Sequence, residues 1–114
     1  MSAQLIIEAA AKLVKGQWTQ GDYARNAKGV PVDFKRGKNF CVVGAILAQG
    51  SQSKRDMLRD GIGGQDVTKA LGYVEDASKR LYKRSAYWVN DNLKHEDVLA
   101  VLRLAWKLSK EDQQ

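Results

Sequence analysis

The run Phe40-Cys41-Val42-Val43-Gly44-Ala45-Ile46-Leu47 is apolar at every position except Gly44, and its conformation separates an α/β chain from a mainly helical one. In so short a run, periodicity does not distinguish a buried strand from a buried helix. The flanks favour a helix over about residues 39–49. Asn39 is a good N-cap, Ala45, Leu47, Ala48 and Gln49 are helix formers, and Gly50 is a stop. A helix apolar on every side belongs at the centre of a domain, with the other elements arranged around it.

Toward the N-terminus, Leu5, Ile6, Ala9, Ala10, Leu13 and Val14 recur at helical spacing over 3–15, between Ser2 as N-cap and Gly16 as stop. Residues 17–38 lose that period and carry Gly21, Gly29, Pro31 and Gly37, which predicts a loop region. Within it Tyr23-Ala24-Arg25 and Val30-Pro31-Val32 flank Asn26-Ala27-Lys28-Gly29, a short hairpin in which Gly29 takes a positive φ and Pro31 keeps its strand at an edge. Toward the C-terminus a short helix runs through Arg59, followed by the flexible Gly61-Ile62-Gly63-Gly64. Residues 66–84 form a helix with Val67, Ala70, Leu71, Val74, Ala77 and Leu81 on one face. Ser85 to Lys94 reads as a second irregular stretch. A closing helix over about 95–109 turns Val98, Leu99, Leu102, Ala105 and Trp106 inward. The expected fold is mainly α: one compact domain over 1–114 with four or five helices and a small β-hairpin or ordered loop near 17–38.

A chain of 114 residues supports one modest core. Its single cysteine excludes an internal disulfide, and no apolar run approaches the length of a membrane span. The opening MSAQLIIEAAAKLVKGQ has no basic leader and carries Glu8 and Lys12 within its apolar run, so no signal peptide is expected. A cytoplasmic location and no membrane partner follow as expectations.

The net charge is +6. Much of the cluster Lys79-Arg80-Leu81-Tyr82-Lys83-Arg84 has local partners, because Glu75 and Asp76 precede Lys79 and Arg80 by four residues. Lys83 and Arg84 would complement the helix dipole. Segment 17–38 has no such explanation for its five basic residues against two acidic ones. Lys28, Lys35, Arg36 and Lys38 there form a candidate patch for an anionic partner.

Both irregular stretches concentrate groups that recognise ligands. A site needs an aromatic wall, an orienting amide and, for an anion, a cation. Trp18, Gln20, Tyr23 and Arg25 offer these in the first stretch, and Trp88, Asn90 and Asp91 in the second. Against this, a small domain uses its tryptophans in the core, the expected place for Trp18 and Trp88.

Trp18-Thr19-Gln20-Gly21-Asp22-Tyr23-Ala24-Arg25-Asn26-Ala27-Lys28-Gly29, then Phe40-Cys41-Val42-Val43-Gly44-Ala45, then Trp88 and Asn90-Asp91 resemble a family of small uncharacterised bacterial and phage proteins. Its motif order is W-x-Q-G-x-x-A-R-[DN]-x-x-G, C-A-x-G-A, W-N-D. The resemblance covers about residues 5–108, and the chain departs from it with Thr19 in place of Cys and with Val89 between Trp88 and Asn90. It implies a shared fold and singles out positions, but carries no activity. A phage setting, which only the resemblance suggests, would make the anionic partner a nucleotide-like ligand, nucleic acid or an acidic host protein.

Catalytic chemistry has few candidates. Cys41 and His95 would need hydrogen-bond reach and an exposed thiol, whereas Cys41 lies in the most apolar run. One Cys and one His do not make a zinc site. Gly61-Ile62-Gly63-Gly64 lacks the phosphate-loop spacing and a preceding strand. Asp22, Asp33 and Asp91 are loop carboxylates that a hydrolase-like enzyme would use. The reading that emerges is a basic binding module without catalytic residue, metal or cofactor, acting through 17–38 and 85–94. Its alternatives are a small enzyme using those carboxylates or Cys41, and a self-associating structural protein exposing Val101, Leu104 and Leu108 of the last helix.

Overall fold

The computed structural model describes residues 2–112, so Met1, Gln113 and Gln114 of the expected 1–114 domain lie outside them. Helix α1 (Ala3–Gly16) starts where Ser2 Oγ accepts the Leu5 amide at 3.2 Å. It buries Ala3, Ile6, Ile7, Ala10 and Val14. The inward stripe is therefore turned slightly from the expected one: Ile7 faces the core and Leu5 is 49% exposed.

After α1 the chain runs extended past Phe40. The Phe40 amide donates to the Gln17 carbonyl (2.7 Å) and its carbonyl accepts the Thr19 amide (3.0 Å). Strand β1 (Ala24–Arg25) then pairs antiparallel with β2 (Asn39–Phe40), Ala24 opposite Phe40 and Arg25 opposite Asn39. The expected turn at Asn26–Gly29 is present, with Gly29 at φ 82° and a bridge between Arg25 and Pro31. The strand that completes the sheet is nevertheless 39–40, because 30–32 contributes an isolated bridge, with the Val30 carbonyl accepting the Asn26 amide (2.9 Å) and the Val32 amide donating to the Ala24 carbonyl (3.1 Å). A 3-10 turn, Phe34–Arg36, fills the gap and buries Phe34.

The helix expected over 39–49 is α2 (Val42–Leu47), and every one of its residues is buried. It begins three residues later than predicted because the backbone of Asn39 and Phe40 is committed to the sheet. Cys41, rather than Asn39, caps it: Sγ accepts the Gly44 amide at 3.2 Å. Gly44 is required at its position, since a Cβ there would collide with the backbone of Tyr23. Each fully buried Val or Ile of this helix contributes about 1.5–3 kcal/mol relative to exposure.

Helix α3 (Lys54–Asp60) is capped by Ser53 with a reciprocal Asp56 bond. Helix α4 (Gln65–Tyr82) ends at Lys83, which adopts the left-handed conformation at φ 61°. That ends the helix before Lys83 and Arg84, which had been expected in its last turn. Ser78 and not Leu81, at 45% exposure, completes its buried face.

Residues 86–92, expected to be irregular, form helix α5 (Ala86–Asn92), which raises the helix count to six among the described residues. Ser85 Oγ accepts the Trp88 amide, and Ala86, Val89 and Asn90 point inward. A polar residue at an inward position hid the helical period. Helix α6 (His95–Glu111) buries Val98, Val101, Leu102, Ala105 and Ser109. Val101 thus belongs to the core, while Leu104 and Leu108 are half-buried against it, which removes much of the apolar stripe that self-association would use. The three long helices α1, α4 and α6 pack on one another, and α2 sits against α1, α4 and α5. The fold is mainly α, with one small antiparallel hairpin.

Candidate functional site

The two segments singled out by sequence meet, and Asn90 is their junction. It is fully buried. Its Oδ1 accepts the Trp18 indole N–H (2.8 Å) and the Val42 amide (2.9 Å), while its Nδ2 donates to the Thr19 carbonyl (3.0 Å) and to Asp91 Oδ1 (3.1 Å). The side chain thus ties the first loop, the start of α2 and α5 together. Around it Gln20 Nε2 donates to the Asn90 carbonyl (3.0 Å), and Asp91 Oδ1 accepts the Gly21 amide (2.9 Å). Buried polar groups in a low dielectric hold strongly when every one is paired, and no buried side-chain polar atom lacks a partner among the described residues.

Trp18, Arg25 and Trp88 stand in different surroundings. Trp18 is half-buried against the core and stacks on His95, ring centroids 4.9 Å apart and planes 6° apart. Arg25 is committed internally: its guanidinium pairs with Asp22 (2.9 Å) and donates to the Gly29 and Gln20 carbonyls. Trp88 is not in the core as expected. It is 38% exposed on the outer side of α5, because Val89 and Asn90 occupy the inward positions, and the Arg84 guanidinium lies 4.9 Å over its ring. Trp18, Gln20, Arg25, Asn90 and Asp91 therefore share one network that Trp88 does not join.

Beside this network a cavity of about 130 Å³ is lined by Gly21, Asp22, Tyr23, Cys41, Lys54, Tyr87 and Asp91. Tyr87 donates its hydroxyl to that of Tyr23 at 2.6 Å, and Lys54 Nζ sits 5.5 Å over the Tyr23 ring. Burial and this bond hold the Tyr87 phenol well above its ordinary range. Burial pushes the Cys41 thiol up to about 11 against the opposing pull of the Gly44 and Val43 amides, and the Asp91 and Asp22 carboxylates add to the rise. A thiol held protonated in this way is a poor nucleophile. His95 does not serve it: its Nε2–H donates to the Val14 carbonyl at 2.6 Å. The third loop acid, Asp33, accepts the Lys35 and Lys54 amides and so acts as a cap. Two carboxylates against one ammonium, in so small a space, do not suit an anion. Among the described residues no three His, Cys, Asp or Glu side chains gather to hold a metal ion.

Lys54 was missed by sequence reasoning. Tyr87 adjoins Trp88 and was legible as part of the same aromatic pair, whereas Lys54 is brought in by α3 and left no signal. The basic residues Lys28, Lys35, Arg36 and Lys38 are exposed, and none forms an ion pair among the described residues. Lys35 Nζ donates to the Ser51 carbonyl at 2.8 Å. Among those residues no helix is long and apolar enough to cross a membrane.

No curated protein and no solved structure significantly matches the chain. A family model does, over residues 1–108, and the chain accordingly belongs to the family of unknown function DUF6197.

Proposed function

We propose that the protein is a non-catalytic binding module that engages an anionic partner through Lys28, Lys35, Arg36 and Lys38. The loop 17–25 and α5 act as the frame that holds this surface rather than as the contact itself. One observation carries the reading. Arg25 and Asp22 neutralise each other, while Lys28 in the turn and Lys35, Arg36 and Lys38 after it are exposed and form no ion pair among the described residues. Exposed cations on a pinned backbone release counterions when they meet a polyanion, so the interaction would weaken steeply with salt.

The hydrolase-like alternative has less support. Asp33 is a cap, Asp22 is paired with Arg25, Asp91 holds Gly21, and the Cys41 thiol is buried. The test is fluorescence anisotropy with labelled single-stranded DNA, duplex DNA and a poly-glutamate peptide. At about 50 mM salt at least one probe should bind, with affinity falling at least about tenfold by about 200 mM. Replacing the four cations with serine should weaken that binding by a similar factor. Binding of none of the probes, or unchanged binding by the quadruple variant, would refute the proposal.

A further inference from the structure

A second surface, sharing no residue with the basic segment, has a more definite shape. Helices α1 and α6 pack side by side and leave between them a groove of about 510 Å³. Each helix contributes two apolar and two charged residues in the same spacing: Ile7, Glu8, Ala11 and Lys12 from α1, and Leu102, Arg103, Trp106 and Lys107 from α6. Residues i and i+4 lie one above the other on a helix, so each helix presents an apolar line beside a charged one. Ile7 and Leu102 are buried and form the floor, Ala11 leaves the groove deep, and the half-buried Trp106 closes one wall.

Three of the four charged residues lining the groove are cations. Lys12, Arg103 and Lys107 are exposed, and none has an ion-pair partner among the described residues. The single acid lining the groove, Glu8, accepts the Trp106 indole N–H at 2.7 Å, and Lys110 Nζ lies 5.1 Å over the same indole. An apolar trough between two helices is the shape that receives a third helix, whose side chains at i, i+3 or i+4 and i+7 serve as anchors. Cations along the rim select the flanks of that helix.

The geometry points to a docking site for an amphipathic helix of a partner protein, with an apolar stripe set in the trough and Asp or Glu residues on both flanks facing Lys12, Arg103 and Lys107. The complementarity of charge decides between such a helix and a basic one, which the rim would repel.

The test uses the full chain and a fluorescein-labelled model helix with leucines at i, i+4 and i+7 and glutamates on the flanks. A second peptide carries lysines at the same flanking positions. The acidic helix should bind about tenfold or more tightly than the basic one. The triple variant Lys12→Glu, Arg103→Glu, Lys107→Glu, whose substitutions are all at exposed positions, should reverse that preference, and amide chemical-shift changes in the parent protein should fall on 7–12 and 102–107. Equal binding of both peptides, no binding of either, or shifts confined to 28–38 would overturn the inference. So would sedimentation showing that the free chain dimerises through this face, or displacement of the acidic helix by dodecanoate at similar concentration, which would assign the trough to an anionic amphiphile instead. Failure here leaves the basic segment's own test unaffected, since serine substitutions at 28–38 should not change peptide binding in the trough.

Discussion

Two indole N–H groups make nearly the same bond in this molecule, with different consequences. Trp18 donates to Asn90 at 2.8 Å and Trp106 to Glu8 at 2.7 Å. Asn90 is fully buried and its other polar atom is also paired, so that contact closes a framework. Glu8 is half-buried at the side of an open trough, with unpaired cations around it. The region richest in chemically versatile residues is thus the one whose capacity is already used by the fold. The surface with capacity left over lies on two helices of ordinary composition.

The contrast predicts unequal costs of truncation. Asn90→Ala orphans the Trp18 indole and the Val42 amide as donors and the Thr19 carbonyl as acceptor, three groups that now meet on one fully buried side chain. It should destabilise the chain by about 3 kcal/mol or more. Glu8→Ala orphans one half-buried indole N–H that water can reach, and should cost about 1 kcal/mol or less. Urea denaturation of both variants measures the difference. Equal costs would mean that the two bonds play the same role and that the trough is part of the framework.

The framework also has a pH signature. The folded chain keeps the Cys41 proton between pH 9.0 and about 11, where an exposed thiol would release it. The folded state therefore binds more protons than the unfolded state in that window, and stability should fall as pH rises through it. The raised Tyr87 phenol acts in the same direction at higher pH. Cys41→Ser puts a hydroxyl oxygen in place of the sulfur as acceptor for the Gly44 amide and should flatten the decline between pH 9.0 and about 11. Cys41→Ala should instead lose about 1 kcal/mol at neutral pH through the missing cap. A decline of unchanged slope in Cys41→Ser would place the alkaline sensitivity elsewhere.

Much of this fold was legible because its signals are local. Ser2, Gly16 and the apolar spacing between them mark α1, and the apolar run 40–47 marks a central element whichever conformation it takes. What stayed hidden depends on contacts distant in sequence. The start of α2 moved because Phe40 pairs with Gln17, Thr19 and Ala24, none of which a reading of the run itself reveals. Helix α5 was obscured because Asn90 occupies an inward position, where a period-based reading expects an apolar side chain. The same residues explain why the site was only half visible. Trp18, Gln20, Arg25, Asn90 and Asp91 read as groups that make specific bonds, and they do; their partners are one another, the neighbouring Asp22 and the backbone. The trough was illegible because Lys12, Arg103 and Lys107 look like any solvated helix charges until α1 and α6 are placed side by side.

That last point gives the smallest expected effect and the finest test of the contrast. Three cations along one groove repel one another weakly through water, and none forms an ion pair among the described residues. Replacing Lys12, Arg103 and Lys107 together by alanine should leave stability within about 0.5 kcal/mol of the parent, because exposed substitutions away from caps and buried networks rarely do more. Their long side chains also cover some apolar surface with their methylene stems, which sets the residual cost. A loss well above 1 kcal/mol in thermal or urea unfolding would show that these cations are already engaged in holding α1 to α6, and a surface so engaged would have nothing left over for a partner. Unchanged stability together with lost binding of the acidic helix separates recognition from folding at this face, which the opposite region, built around Asn90, does not allow.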